Sequence, residues 1–405
     1  MTWPDGGQMT YAFDAANRLT SLAAAGVSVG PGYDGLSRVT SITRAASSST
    51  VGFDNADRMT SLAHVFTPTT GNQAWGFAFT PASQLSAATS TNPAYDWTTS
   101  AATTVNTTTD GLNRDAGIAA MGAPCAATNA GYDCNGNLTY DGTRRFTYDA
   151  ENRLTGETGP VTMSLAYDPT GRLQQTIVNG ATTQFLYDGD ALVAEYDGSN
   201  NILRRYIHGP GADNPVIWFE GSALTTANAA YLIADRQGSI VATANTAGAV
   251  TANLTYDAYG VPNAWGGSRF RYTSQIELPE AGLYYYKARV YDPASGRFLQ
   301  TDPVGYADNV NWYAYTGNDP VNGADPSGTC GSGVGNTPAA ALRAWRGCRD
   351  RPPTQAGSIP HRASGFLPSR PKMDRAQQTG LAPIRRLYRP AKAAVALPPR
   401  TRIAP

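Results

Sequence analysis

This sequence has few residues suited to metal binding or thiol-dependent chemistry, with four cysteines and three histidines among 405 residues. None of the histidines lies near Cys125 or Cys134 in the sequence, so zinc-type ligand spacings do not occur there. The scattered histidines also argue against a Ser-His-Asp set. Four cysteines are too few for a disulfide scaffold of this length, although Cys125 and Cys134 flank a turn-rich stretch and could pair. We therefore expect neither a metal nor a cofactor.

Charge and helical periodicity are also scarce. Only 15% of the residues are charged, and an apolar period of 3.6 residues almost nowhere persists over a dozen positions, so helices should be few. No run of about 20 apolar residues could span a membrane, and no N-terminal segment resembles a signal peptide. The chain enters directly on a repeat-like segment, which we interpret as a fragment of a longer array or a truncated gene product.

A short phrase recurs where other signals are weak: an aromatic residue, Asp, two variable residues, a small or polar residue, then usually Arg and an aliphatic residue. The period is about 20 residues, which is typical of one supersecondary unit stacked on its neighbours. Asp can bond its own backbone two residues on, and Gly or Asn at the fifth position tolerates positive φ, so each phrase predicts the turn of a β-hairpin. The aromatic-Asp pairs are Phe13-Asp14, Tyr33-Asp34, Phe53-Asp54, Tyr132-Asp133, Tyr148-Asp149 and Tyr167-Asp168.

The organisation predicted from these features is a repeat sheet over residues 1–200, a denser aromatic-rich region over 201–328, and a tail over 329–405. The tail has 11 prolines in 77 residues and no repeat, so we expect it to be mostly disordered. It carries 14 Lys or Arg against 2 Asp or Glu, a net charge of +12, and the rest of the chain therefore carries −12. We expect the acidic body to attract the basic tail at low salt.

Residues 254–328 carry the most specific phrases of the chain. Together with the repeats before them, these phrases resemble the RHS repeat-associated core of RHS (YD-repeat) proteins, a group that includes polymorphic toxins, insecticidal toxin-complex C subunits and teneurins. The resemblance implies an all-β fold in which antiparallel hairpins curl into a shell, here a partial one because the chain is short. The phrases include Tyr256-Asp257-Ala258-Tyr259-Gly260, Ala288-Arg289-Val290-Tyr291-Asp292-Pro293, Gly296-Arg297-Phe298-Leu299, Thr301-Asp302-Pro303 and Asp325-Pro326-Ser327-Gly328.

The resemblance also implies an aspartyl autoprotease that cuts just after an Asp-Pro-x-Gly-Leu phrase. Asp302 is then the expected catalytic carboxylate and Arg289 its supporting charge, with Asp292 ahead of Asp325 as the second carboxylate. Such chemistry is also reasonable without the resemblance. When two carboxyl groups are neighbours, one can activate water while the other protonates the carbonyl.

The expected cleavage site, Gly328 and Thr329, departs from the family pattern because Thr329 stands where the family has Leu. A β-branched polar residue loses the apolar contact that would seat the scissile bond, so cleavage could be slow or absent.

Three functions remain open at this point. The leading one is a structural shell or carrier, the C-terminal fragment of an RHS-type polymorphic toxin that presents or encapsulates its variable C-terminal segment. The second is self-cleavage near 328/329, and the third is a cell-surface adhesion or carbohydrate-binding module. The expected partners are the chain's own tail, secretion-system or toxin-complex proteins and an immunity protein, whereas nucleic-acid binding by the basic tail is not favoured. The expected location is bacterial, secreted or at the cell surface.

Overall fold

The computed structural model describes residues 1–98, 108–119, 131–211 and 213–333, and this part of the chain is built almost wholly from antiparallel strands. The all-β prediction is confirmed. Cys125 and the tail for which disorder is expected lie outside the described residues. Helical segments in the described part are short: one α-helix, Ala116–Ala119, and 3-10 turns at Thr69–Gly71, Pro93–Tyr95, Tyr272–Ser274, Pro279–Ala281, Gly305–Ala307 and Tyr315–Asn318.

The N-terminal repeats form an eight-stranded sheet, called here the first sheet, in which each strand pairs with its neighbour in sequence. This order is expected of stacked hairpins, because short connections keep consecutive strands adjacent. Its strands are β1 Thr10–Phe13, β2 Leu19–Ala24, β3 Val27–Tyr33, β4 Val39–Arg44, β5 Ser48–Phe53, β6 Met59–Val65, β7 Gln73–Phe79 and β8 Leu85–Ser90.

A second sheet of eleven strands follows the same sequential order. It continues across residue 200, where the sequence suggests a change from repeats to a denser region, and ends only at Asn253. Its strands are β9 Arg145–Tyr148, β10 Leu154–Thr158, β11 Met163–Tyr167, β12 Leu173–Val178, β13 Ala181–Asp188, β14 Ala191–Asp197, β15 Ile202–His208, β16 Pro215–Glu220, β17 Ala229–Ala234, β18 Ile240–Asn245 and β19 Val250–Asn253.

Residues 254–333, called here the C-terminal region, contain two small sheets joined by turns. A four-stranded sheet holds β20 Ile276–Leu278, β21 Leu283–Tyr286, β22 Arg289–Asp292 and β23 Arg297–Phe298. A two-stranded ribbon pairs β24 Gly323–Ala324 with β25 Ser332–Gly333. The hairpin β21–β22 and the ribbon frame the phrases that the sequence marks as a cleavage site.

The repeated turn works as the sequence predicts, and the turn at Asp34 is typical. The Asp34 carboxylate accepts the backbone amides of Leu36 and Arg38 at 2.9 and 3.0 Å. Ser37, at the fifth position, has φ of 62°. The turn therefore closes on side-chain and backbone hydrogen bonds of its own, without help from the rest of the fold.

The Arg of each phrase has a second role that the sequence pattern did not indicate. Arg38 forms an ion pair with Asp34 at 2.6 Å, and its guanidinium lies 4.6 Å from the ring centroid of Phe53 in the next repeat. Each turn that carries this Arg is thus linked to the following one by a cation–π contact. The same arrangement occurs for Arg18 with Tyr33, Arg58 with Phe79, Arg114 with Tyr132, Arg153 with Tyr167 and Arg172 with Tyr187.

The second sheet is the middle layer of three. Since successive residues of a strand point to opposite faces, its central strands contribute to two separate apolar cores. One face packs against the C-terminal region through Leu192, Tyr206 and Leu232, and the other against the first sheet through Val193, Ile207 and Ile233. The first sheet supplies residues such as Leu22 and Val29 to the latter core, which is further filled by Trp3. The second sheet is therefore buried on both faces over its central strands.

Candidate functional site

The hairpin β21–β22 presents Arg289 to the interior of the C-terminal region. The side chain is 2% exposed, and its guanidinium carbon lies 3.7 Å from the ring centroid of Phe298 on β23. Burial lowers the pKa of Arg289, while the nearby charges of Asp302 and Asp325 oppose that shift. A buried cation of this kind is retained only where anions and hydrogen-bond acceptors surround it.

Two of the carboxylates predicted from the sequence meet on this guanidinium. One nitrogen of Arg289, Nη2, lies 2.8 Å from Asp302 and 3.3 Å from Asp325. Asp302 and Asp325 are 8% and 1% exposed, so the three charged groups are buried together. Two carboxylates within reach of a single cation carry one negative charge more than the cation offsets, which favours a bound proton on one of them.

Asp302 has a raised pKa. Burial raises its pKa from 3.8 to about 7, the charge of Arg289 opposes this, and the charge of Asp325 adds to it. The Asp302 carboxylate also accepts the amide of Val304 at 2.9 Å. A carboxyl group with this pKa can donate and accept a proton near neutral pH.

The carbonyl oxygen of Gly328 accepts a hydrogen bond from the same guanidinium, donated by Arg289 Nε. A second nitrogen of Arg289 donates to the carbonyl of Trp312 at 2.9 Å. Gly328 has φ of +69°, and a Cβ at this position would lie 2.3 Å from the carbonyl oxygen of Tyr286. Only glycine fits there, because both the backbone conformation and the close approach exclude a side chain.

The peptide on the far side of Gly328 is held by Asp325. The Asp325 carboxylate accepts the backbone amides of Thr329 and Cys330, both at 3.2 Å. The Thr329 hydroxyl lies 2.7 Å from that of Ser327. The bond between Gly328 and Thr329 therefore has its carbonyl oxygen on Arg289 and its amide nitrogen on Asp325, and a cleft lined in part by Thr329 opens beside it.

Asp292 lies apart from this cluster, although the sequence ranks it ahead of Asp325. Its carboxylate forms an ion pair with Arg144 at 3.0 Å and accepts the amide of Ala294. It thereby joins β22 to the turn before β9. The signal that favours Asp325 is its place in the sequence, since it opens the Asp-Pro-Ser-Gly phrase that contains the expected cleavage site.

Within the described ranges, no group of three or more His, Cys, Asp or Glu side chains is arranged to hold a metal ion. Cys134 and Cys330 are both disulfide-bonded; Cys125, the partner considered for Cys134, lies outside the described residues. Among the helices of this part of the chain, none is long and apolar enough to cross a membrane.

Comparison with known proteins gives a family match and several toxin relatives. Residues 125–321 match the family model "Teneurin YD-shell". The chain is 34% identical over 214 residues to the tRNA nuclease WapA of Bacillus subtilis (strain 168), covering 49% of this chain and 9% of that protein. It is 31% identical over 242 residues to double-stranded DNA deaminase toxin A of Burkholderia cenocepacia (strain H111), covering 51% and 16%.

Among solved structures, the chain is similar to TcdB2-TccC3 without its hypervariable C-terminal region, with a TM-score of 0.44 and 18% identity over 80% of this chain and 18% of the other. The chain thus spans only a small part of the relatives it matches. The family match, the toxin relatives and the repeated Tyr-Asp turns agree with one another: residues 125–321 are those of a YD-shell protein of the RHS/YD-repeat type.

Proposed function

We propose that this chain is a shell segment of an RHS-type toxin that presents its C-terminal segment and hydrolyses the Gly328–Thr329 peptide bond itself. One observation carries the proposal. The buried guanidinium of Arg289 forms ion pairs with both Asp302 and Asp325 and also donates a hydrogen bond to the Gly328 carbonyl oxygen. A purely structural ion pair would need neither a second carboxylate nor the carbonyl of the predicted scissile bond.

The proposed reaction is hydrolysis by a carboxyl pair. Asp325 takes a proton from a water molecule as the water oxygen attacks the Gly328 carbonyl carbon, and Arg289 stabilises the negative charge that develops on the carbonyl oxygen. Protonated Asp302 supplies the proton that the leaving nitrogen of Thr329 requires. The carbon–nitrogen bond breaks, which leaves a carboxyl group on Gly328 and an amino group on Thr329.

The side chain of Thr329 differs from the family's Leu, and this difference can change the rate of cleavage without changing the position of the scissile bond. The Thr329 amide is held by Asp325 and its hydroxyl by Ser327, so the loop has polar contacts where the family's Leu would have apolar ones. We expect Thr329→Leu to cleave faster than the natural chain if apolar seating of this residue contributes to the rate. Equal rates for the two chains would show that the seating does not depend on this side chain.

The experiment is expression of the full chain followed by a reducing gel and intact-mass measurement. Reduction is needed because Cys330, two residues after Gly328, is disulfide-bonded. We expect a fragment of residues 329–405, and we expect Asp302→Asn and Asp325→Asn each to abolish it. Asp292→Asn is the matched control, because it also removes a buried, Arg-paired carboxylate; it should cleave normally. An uncut natural chain, or cleavage that survives Asp302→Asn, would refute the proposal.

The carrier role rests on the same site and on the toxin relatives. All the residues proposed to act in cleavage precede Thr329, so the segment that follows should be exchangeable. A chain in which residues 334–405 are replaced by an unrelated reporter should still be cut after Gly328, as judged by the mass of the released reporter. Failure of the reporter chain to cleave, with the natural chain cleaving, would mean that the tail takes part in the reaction. Export, toxin-complex or secretion-system partners and an immunity protein belong to this proposed role.

A further inference from the structure

Lys287 lies at the tip of the hairpin β21–β22, two residues before Arg289, and joins three separate segments of the chain. Its ammonium group contacts both oxygens of Asp213 at 2.8 Å, the side-chain oxygen of Gln275 at 3.0 Å and the carbonyl oxygen of Pro326 at 2.6 Å. These groups come from the connection between β15 and β16, the turn before β20, and the phrase containing the proposed scissile bond. An ammonium group has three donors, and here four oxygens compete for them.

The backbone of Lys287 is in the left-handed region, with φ of 63°. This conformation is uncommon for a residue with a long side chain, and it persists where surrounding contacts over-determine it. Here it directs the side chain towards Pro326 while Ala288 donates its amide to the carbonyl of Ser327 at 3.2 Å. Two successive residues of the hairpin tip thus hold two successive carbonyls of the cleavage loop.

We propose that Lys287 is a positioning residue that fixes the Asp325–Gly328 loop against Arg289, with Asp213 of the second sheet holding its ammonium group in place. The expected effect on the cleavage rate rests on the proposed self-cleavage, whereas the contacts of Lys287 do not depend on it. The Gly328 carbonyl can meet Arg289 only if the loop approaches closely enough that no Cβ fits at residue 328, and Lys287 holds the loop two residues before that point. Since a displacement of about 1 Å at a reacting centre can cost about a hundredfold in rate, loss of this contact should slow cleavage.

Asp213 makes this positioning depend on the second sheet. It lies between β15 and β16, whereas Lys287 and the loop belong to the C-terminal region. Its side chain is 17% exposed and that of Lys287 is 28% exposed, so the pair is partly shielded from solvent. The loop is therefore held in its cleavage geometry only when the repeat sheet and the C-terminal region are docked.

The cleavage test compares Lys287→Met, Lys287→Arg and Asp213→Asn in the full chain. Methionine keeps the length of the side chain and the backbone conformation at position 287 but removes the charge and the donors. We expect Lys287→Met to cleave at least about tenfold more slowly, Asp213→Asn to cleave more slowly than the natural chain, and Lys287→Arg to retain most of the rate. Glu220→Gln, which breaks the exposed Arg204–Glu220 pair on the second sheet, is the matched control and should cleave normally.

A second arm does not depend on cleavage. In the Asp302→Asn background, where we expect the chain to stay intact, hydrogen exchange of a peptide covering residues 325–333 should be faster with Lys287→Met and unchanged with Glu220→Gln. Faster exchange confined to this peptide supports positioning even if the natural chain proves uncut, and in that case only the proposed function fails. Unchanged exchange, a normal cleavage rate for Lys287→Met, or an equal loss of rate with Lys287→Arg would overturn the assignment.

Discussion

The raised pKa of Asp302 predicts a descending pH dependence for self-cleavage. In the proposed reaction the protonated form of Asp302 supplies the proton for the leaving nitrogen, so the rate should follow the protonated fraction. The experiment changes the pH across the pKa of Asp302. Asp302→Asn, which cannot release a proton, is the control variant.

The magnitude follows from the pKa of about 7. Burial and the charge of Asp325 raise the pKa of Asp302 above the ordinary value of 3.8. The protonated form of Asp302 therefore persists up to neutral pH and is lost as the pH rises further. Asp302 is then about nine-tenths protonated at pH 6 and about one-tenth protonated at pH 8. The rate of cleavage should therefore fall about tenfold between these two values, with its midpoint near pH 7.

The assay is a pulse–chase in a cell-free translation system, because a chain made in cells would be cut before purification. Labelled chains are made in a short translation pulse, shifted to buffers from pH 6 to pH 8 and followed on reducing gels. Asp302→Asn should stay intact throughout, and Asp292→Asn should give the natural profile. A rate that is constant or rises between pH 6 and pH 8 would show that a protonated Asp302 does not take part in the slow step.

Three further changes test the loop, the turn and the core. Gly328→Ala should abolish cleavage while the remaining fold stays intact, because the added Cβ would lie 2.3 Å from the Tyr286 carbonyl oxygen at a residue with φ of +69°; intact mass and thermal unfolding check the two parts. Asp34→Ala should lower the midpoint of urea unfolding, since two turn amides and one guanidinium lose their acceptor, whereas Leu36→Ala, at a side chain 75% exposed, should leave that midpoint almost unchanged. Leu154→Ala, at a fully buried position, should cost about 2–5 kcal/mol in urea unfolding.

The turns were predictable because their chemistry is local. An Asp that accepts the amides two and four residues on, and a small or polar residue at positive φ, lie within five residues of each other, as at Asp149 and Asn152. The link from each Arg to the aromatic ring of the next repeat is different. Arg153 and Tyr167 are 14 residues apart, and they meet only because neighbouring hairpins pair in register.

The candidate site was predictable in part. The family phrase indicated Asp302, Arg289 and the cleavage site, but the order of the two further carboxylates could not be read from their spacing. Asp292 is three residues from Arg289, yet its carboxylate pairs with Arg144 instead. Asp325 is 36 residues from Arg289 and shares its guanidinium.

The sequence by itself determined the repeat, the turns and the all-β class, because each depends on contacts within one hairpin. Only the tertiary structure decided which charges meet and which faces are buried. Lys287, Asp213 and Pro326 come together from three segments, and the second sheet is covered on both sides by parts of the chain that precede and follow it. Long-range packing sets these arrangements, and the periodicity of a sequence does not predict which distant residues will contact each other.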